Sequence, residues 1–122
     1  MATHSQDEAL FASFGVMGGF MQPQGHLQVV AALVDDFADP QAALDRPRFR
    51  IFETNSGSKV ALEEGIPLEV LGELKKMGHR VDKVTGYERS TFGRGQIIRR
   101  DSSTGVLCGG SDPRADGCAM TL

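Results

Sequence analysis

Apolar and polar positions recur along this chain with two different periods, and the switches between them mark out its elements. Leu10 to Met17 is short, apolar and bounded by glycine, the pattern of a covered strand. From Gln24 to Phe37 the period changes: Leu27, Val30, Ala31 and Val34 follow the i, i+3, i+4, i+7 rule and predict a helix with one buried face. Gln28, Asp35 and Asp36 fall outside that stripe. Asp39 and Pro40 form a cap and first turn for a second helix, Pro40 to Leu44, which Asp45-Arg46-Pro47 terminates. Arg48 to Glu53 alternates charged and apolar residues, Thr54 to Ser58 is a loop, and Lys59 to Glu63 returns, so a hairpin is expected.

A helix from Pro67 to Met77 puts Leu68, Leu71 and Leu74 on one face, with Lys75 and Lys76 in its last turn and Gly78 at its stop. His79 to Val84 reads as a strand and Thr85 to Ser90 as a polar connection. Gly95 to Arg100 and Gly105 to Gly109 read as two strands joined through Asp101 to Gly105. Residues 1–9 have no period and read as a polar tail before one domain, 10–122. The predicted order is β-α-α-β-β-α-β-β-β, an α/β (mixed α+β) layout with helices on at least one side of its sheet.

The junction between the first strand and the first helix carries the candidate chemistry. Gly18 and Gly19 end the strand, and Pro23 fits the first turn of the helix that follows. Such a corner presents unpaired N–H groups, which stabilise a phosphate, a carboxylate or a developing oxyanion. The residues alone leave open a tight turn with no ligand. Neither Gly18-Gly19 nor Gly93-Arg94-Gly95 has the lysine and hydroxyl of a phosphate loop, so no nucleotide is expected. His4, His26 and His79 lack ligand spacing, so neither a metal nor a cofactor is expected. His26, close to the helix start, suits proton transfer or simple packing. Asp112 and Arg114 fit a turn-forming aspartate and a structural arginine better than a catalytic pair, and Arg46 and Arg48 around Pro47 look similarly architectural. Cys108 and Cys118 flank the loop from Gly109 to Gly117, where a hairpin could bring them together; free thiols are the expectation under reducing conditions.

Composition changes the picture little. The 122 residues are 40% hydrophobic and 24% charged, with a net charge of -3. That excludes a polybasic nucleic-acid surface, and no apolar run is long enough to span a membrane as a helix. The polar, acidic opening residues are not a signal peptide, so a cytoplasmic location is the default expectation unless a longer precursor is exported.

Three stretches together resemble one family: Phe14 to Gln28 with its Gly18-Gly19 corner, Asp39 to Phe49, and Gly109 to Gly117. From about Phe11 onward they follow the order of the C-terminal part of the small subunit of the γ-glutamyltransferase (γ-glutamyltranspeptidase) family. Phe20-Met21-Gln22-Pro23-Gln24-Gly25-His26 looks like that family's acylase-like branch, where common members have a small residue and an arginine after the glycines.

The resemblance implies part of an N-terminal-nucleophile hydrolase αββα sandwich. It also implies amide hydrolysis or γ-glutamyl or acyl transfer, with the Gly18 and Gly19 N–H groups as the oxyanion hole. The family's nucleophile is a threonine exposed by self-cleavage, and its glutamyl-binding groups, like that threonine, lie upstream of the matched region. None of Thr3, Thr54, Thr85, Thr91, Thr104 or Thr121 falls in a matching motif, and no substrate-binding residue can be named. The chain alone is therefore expected to be inactive, handling an acyl amide substrate only together with an upstream portion. Two other classes stay open. One is an inactive, truncated or split homologue acting as a structural or interaction module, because open strand edges and apolar surface favour homo- or hetero-oligomers. The other is a small anion-binding domain.

Overall fold

A computed structural model describes residues 1–120. In chain order the elements are β1 (Ala2–Thr3), β2 (Leu10–Met17), α1 (Gln22–Val34), α2 (Pro40–Asp45), β3 (Phe49–Thr54), β4 (Gly57–Glu63), α3 (Leu68–Lys76), β5 (Val81–Val84), β6 (Arg94–Arg100) and β7 (Leu107–Ser111), with short 3₁₀ turns at Gly19–Met21 and Gly86–Phe92. The expected order is present, preceded by β1 within the stretch read as a tail. The chain forms two compact units, Met1–Arg46 with the chain from Gly93 onward, and Pro47–Phe92.

The first unit is an antiparallel sheet ordered β1-β2-β6-β7. One face of that sheet carries Val16 and Ile97, which close a core with Val29, Ala32 and Leu33 of α1 and Ala43 and Leu44 of α2. Contact with α1 is made through glycine: a Cβ at Gly25 would lie 2.7 Å from the Val16 Cγ1. This corrects the expected helix face. The buried residues of α1 are Gly25, Val29, Ala32 and Leu33, while Leu27 and Val34 are 66% and 49% exposed. Both stripes of α1 are apolar, and the one that packs contains the residue permitting closest approach. The helix also starts at Gln22 rather than Gln24 and ends at Val34 rather than Phe37.

At the edge of the sheet, α2 lies directly on β7. A Cβ at Gly110 would sit 2.7 Å from the Pro40 carbonyl carbon. The Gln41 side chain then acts as a strand, donating to the Ser111 carbonyl at 2.9 Å and accepting the Ser111 N–H at 3.0 Å. The backbone N–H and carbonyl of Ser111, at the end of the edge strand, are thereby both satisfied. As expected, Asp39 caps α2 by accepting the Ala42 N–H at 2.8 Å.

The second unit has the order β3-β4-β5. β3 and β4 form the expected hairpin, from Phe49 opposite Leu62 to Thr54 opposite Gly57. β5 runs parallel to β4, with α3 as the crossover. No residue of α3 is fully buried: of the leucine face predicted there, Leu68 is 65% exposed and Leu71 and Leu74 are half-buried. The stretch predicted as a plain polar connection is instead the second 3₁₀ turn. Arginines fix it: Arg50 donates to the Thr91 carbonyl at 3.1 Å, Arg48 to the Phe92 carbonyl at 3.2 Å, and Arg89 pairs with the buried Glu63 at 2.7 Å. The other Glu63 oxygen accepts the Arg48 N–H at 2.8 Å.

Candidate functional site

The Gly18-Gly19 corner follows the last ladder pair of β2, Met17 opposite Arg94. Gly18 has φ 150° and Gly19 φ 58°, conformations that L side chains rarely adopt. The two carbonyls are used locally. That of Gly18 accepts the Met21 N–H at 3.0 Å, and that of Gly19 accepts the Gln22 N–H at the start of α1. Neither glycine's own N–H donates to a partner among the described residues. Gly18 is half-buried and Gly19 exposed, so the corner is not sealed in the core.

A third glycine shapes this corner. A Cβ at Gly18 would lie 3.1 Å from the Gly93 Cα, and one at Gly93 would lie 2.6 Å from the Met17 carbonyl oxygen. Gly93 itself has φ 79°. The sequence drew attention to Gly93 only as part of a glycine pair without phosphate-loop residues; the usable signal was a glycine placed immediately ahead of β6.

His26 ties the strand to the helix. Its Nε2 accepts the Val16 N–H at 3.3 Å, and its Nδ1–H donates to the Gln22 carbonyl at 2.6 Å. Because a backbone N–H can only donate, the proton resides on Nδ1. The ring packs beside Phe14 with centroids 5.9 Å apart. This is the packing use, and it leaves His26 holding both sides of the diglycine corner in place. Beside the corner lies an open groove of about 540 Å³ whose lining includes Gly15, Met17, Gln22, His26, Arg94 and Gln96.

Asp112 and Arg114 are architectural, as expected. Arg114 pairs with one Asp112 oxygen at 2.9 Å and donates to the carbonyls of Leu44 and Arg46, both at 2.9 Å. The second Asp112 oxygen accepts the Gly95 N–H at 2.7 Å. Arg46 forms an ion pair with Asp36. At the β6–β7 turn, the Ser103 hydroxyl and then the amide and hydroxyl of Thr104 hold the Asp101 carboxyl well below the usual carboxylate range. Cys108 and Cys118 are free and exposed. Among the described residues no cluster of His, Cys, Asp and Glu could hold a metal, and no helix is long and apolar enough to cross a membrane.

Comparison with known proteins bears on what this corner is for. The family model described as Gamma-glutamyltranspeptidase matches residues 1–122. The chain belongs to the gamma-glutamyltranspeptidase family. The match begins upstream of Phe11, where the motif resemblance begins, and so includes β1. A glutathione hydrolase-like proenzyme of Bacillus subtilis (strain 168) is 32% identical over 89% of this chain and 21% of its own length. Among solved structures, a cephalosporin acylase from Bacillus halodurans is 46% identical with a TM-score of 0.80, over 92% of this chain and 20% of that one. A gamma-glutamyltranspeptidase from Pseudomonas nitroreducens shares the fold at 23% identity, with a TM-score of 0.79 over 99% of this chain and 60% of that one.

The mixed α/β fold is therefore that of the gamma-glutamyltranspeptidase and acylase group of N-terminal-nucleophile hydrolases. The chain spans about a fifth of the length of the curated relatives it matches. Within it, Gly18 and Gly19 stand together with His26 and Gly93. Thr3 lies in β1, Thr54 ends β3, and Thr91 lies in the second 3₁₀ turn. Thr121 lies outside the described residues.

Proposed function

We propose that this chain supplies the oxyanion-binding corner of an acyl-transferring hydrolase whose attacking hydroxyl comes from outside the sequence. The observation that carries this reading is the division of labour at Gly18-Gly19. Both carbonyls are engaged in building the turn, while both N–H groups are left without a partner among the described residues.

Attack of a hydroxyl on an amide carbon moves an electron pair onto the carbonyl oxygen. Fixed N–H donors meet that charge without reorganising, and a missing donor costs about 3 kcal/mol of barrier in comparable sites. Collapse of the tetrahedral species expels the amine, which takes up a proton, and leaves an acyl ester on the hydroxyl. Water then releases the acid, or a second amine takes the acyl group. By family, the hydroxyl is that of an upstream threonine and the substrate a γ-glutamyl or other acyl amide. Glycine suits the corner because a side chain there would crowd the tetrahedral centre and strain the backbone.

On this reading the purified chain alone does not hydrolyse γ-glutamyl-p-nitroanilide, and turnover by it would overturn the assignment of the nucleophile to another segment. A second reading is favoured by the exposed sheet face, where Met17, Ile98 and Leu107 are 61%, 49% and 60% exposed. There the chain acts as a self-associating module with no chemistry of its own. Sedimentation analysis tests it: a monomer at all concentrations contradicts self-association.

A further inference from the structure

The hydrogen bonds that build the turn after β7 stop one residue short of the chain's only aspartate–glycine pair. The Arg114 N–H donates to the Asp112 carboxylate at 3.0 Å, and the Ala115 N–H donates to the Asp112 carbonyl at 3.1 Å. Asp116 and Gly117 follow, both exposed and outside any strand. Neither the Asp116 carboxyl nor the Gly117 N–H has a partner among the described residues.

An aspartate side chain and the amide nitrogen of the next residue are close enough along the chain to close a cyclic imide. Glycine in the second position favours closure, because no side chain crowds the nitrogen and the backbone turns freely. Other aspartates are protected. Asp39 and Asp112 precede Pro40 and Pro113, which carry no N–H. The Asp101 carboxylate is held by the amides of Ser103 and Thr104 at 3.0 and 2.8 Å.

We propose that Asp116 is a site of spontaneous covalent modification, isomerising to an isoaspartyl linkage through a cyclic imide with Gly117. The Gly117 nitrogen bonds to the side-chain carbonyl carbon of Asp116 and gives up its proton, and the carboxyl hydroxyl departs as water. Water then adds back at either carbonyl. Opening at the side-chain carbonyl restores aspartate. Opening at the main-chain carbonyl leaves a free α-carboxylate and carries the chain through the side-chain carbon. The main chain is then longer by one carbon just ahead of two close contacts. A Cβ at Gly117 would lie 2.7 Å from the Gln96 Nε2, and the Ala119 Cβ lies 3.0 Å from the place of a Cβ on Gly109. The added carbon shifts this segment off β6 and β7.

The 122-residue chain is aged at neutral pH in warm buffer beside a peptide of its residues 113–119. Both are mapped by Asp-N digestion, which does not cut before isoaspartate, and by electron-transfer fragmentation, which separates the two linkages at equal mass. The expected result is isoaspartate at position 116 of the folded chain, formed within about tenfold of the peptide's rate, with none at Asp101. Gly117→Ala, whose methyl meets chiefly the movable end of Gln96, slows the conversion about tenfold. Asp116→Asn speeds it, with ammonia leaving in place of water. A folded chain that converts more slowly than that range, or a rate unchanged in Gly117→Ala, overturns the proposal.

Discussion

Gly18 and Gly93 touch backbone to backbone: a single added methyl on Gly18 would come within 3.1 Å of the Gly93 Cα. The start of β6 is thus pressed against the corner at the end of β2, with no room for a side chain on either. This contact, together with the His26 bridge, holds the two N–H groups of the corner at a fixed angle. In the proposed role, preorganised donors of this kind lower the barrier because they need no rearrangement as charge develops.

Gly93→Ala meets two obstacles, a φ of 79° and a carbonyl oxygen 2.6 Å from the new Cβ. The expected cost is about 1–3 kcal/mol of stability. Urea denaturation of the chain measures it, and the Gly18 amide resonance should move because its packing surface is displaced. A stability equal to that of the parent protein would contradict the close packing.

The Asp112–Arg114 pair fastens the end of β7 to the end of α2, and both side chains are almost wholly buried, at 0% and 1% exposed. Removing one member leaves the other charge buried and under-compensated. Asp112→Ala is expected to lose about 3–5 kcal/mol. Asp112→Asn, which keeps an acceptor for the Gly95 N–H, is expected to lose less. Denaturant midpoints for the two variants check the order.

Asp101 gives the β6–β7 turn a pH dependence. Its carboxyl is depressed by the Ser103 hydroxyl first and by Thr104 next. The folded state therefore favours the ionised form, and the stabilisation is fully present above the ordinary carboxylate value of 3.8. It declines as pH falls below that value toward the depressed one. A ¹³C carboxyl titration should show Asp101 still ionised at a pH where free aspartate is protonated. Asp101→Asn should remove this part of the acid sensitivity. A carboxyl titrating near 3.8 would contradict the turn geometry.

The sequence made some of this legible and hid the rest for identifiable reasons. Gly18-Gly19, the Asp39 cap and the β3–β4 hairpin are local, so their signals lie within a few neighbouring residues. The packing face of α1 was not legible, because Leu27 and Val34 make as good an apolar stripe as Val29 and Leu33. What decides between them is Gly25 meeting Val16, a contact that periodicity cannot encode. Gly93 was missed as a partner of Gly18 for a similar reason: seventy-five positions of chain separate them. The second 3₁₀ turn was hidden because its order comes from Arg48, Arg50 and Arg89 rather than from its own polar residues.

The central claim concerns a backbone N–H, so the direct measurement is to delete one. The chain can replace the matching segment of the Bacillus halodurans cephalosporin acylase, to which it is 46% identical. An ester can then be substituted for the amide at Gly19, exchanging its N–H for oxygen. If the corner holds the oxyanion, kcat falls by about 10²–10³-fold with little change in KM. A kcat equal to that of the all-amide chimera would contradict it.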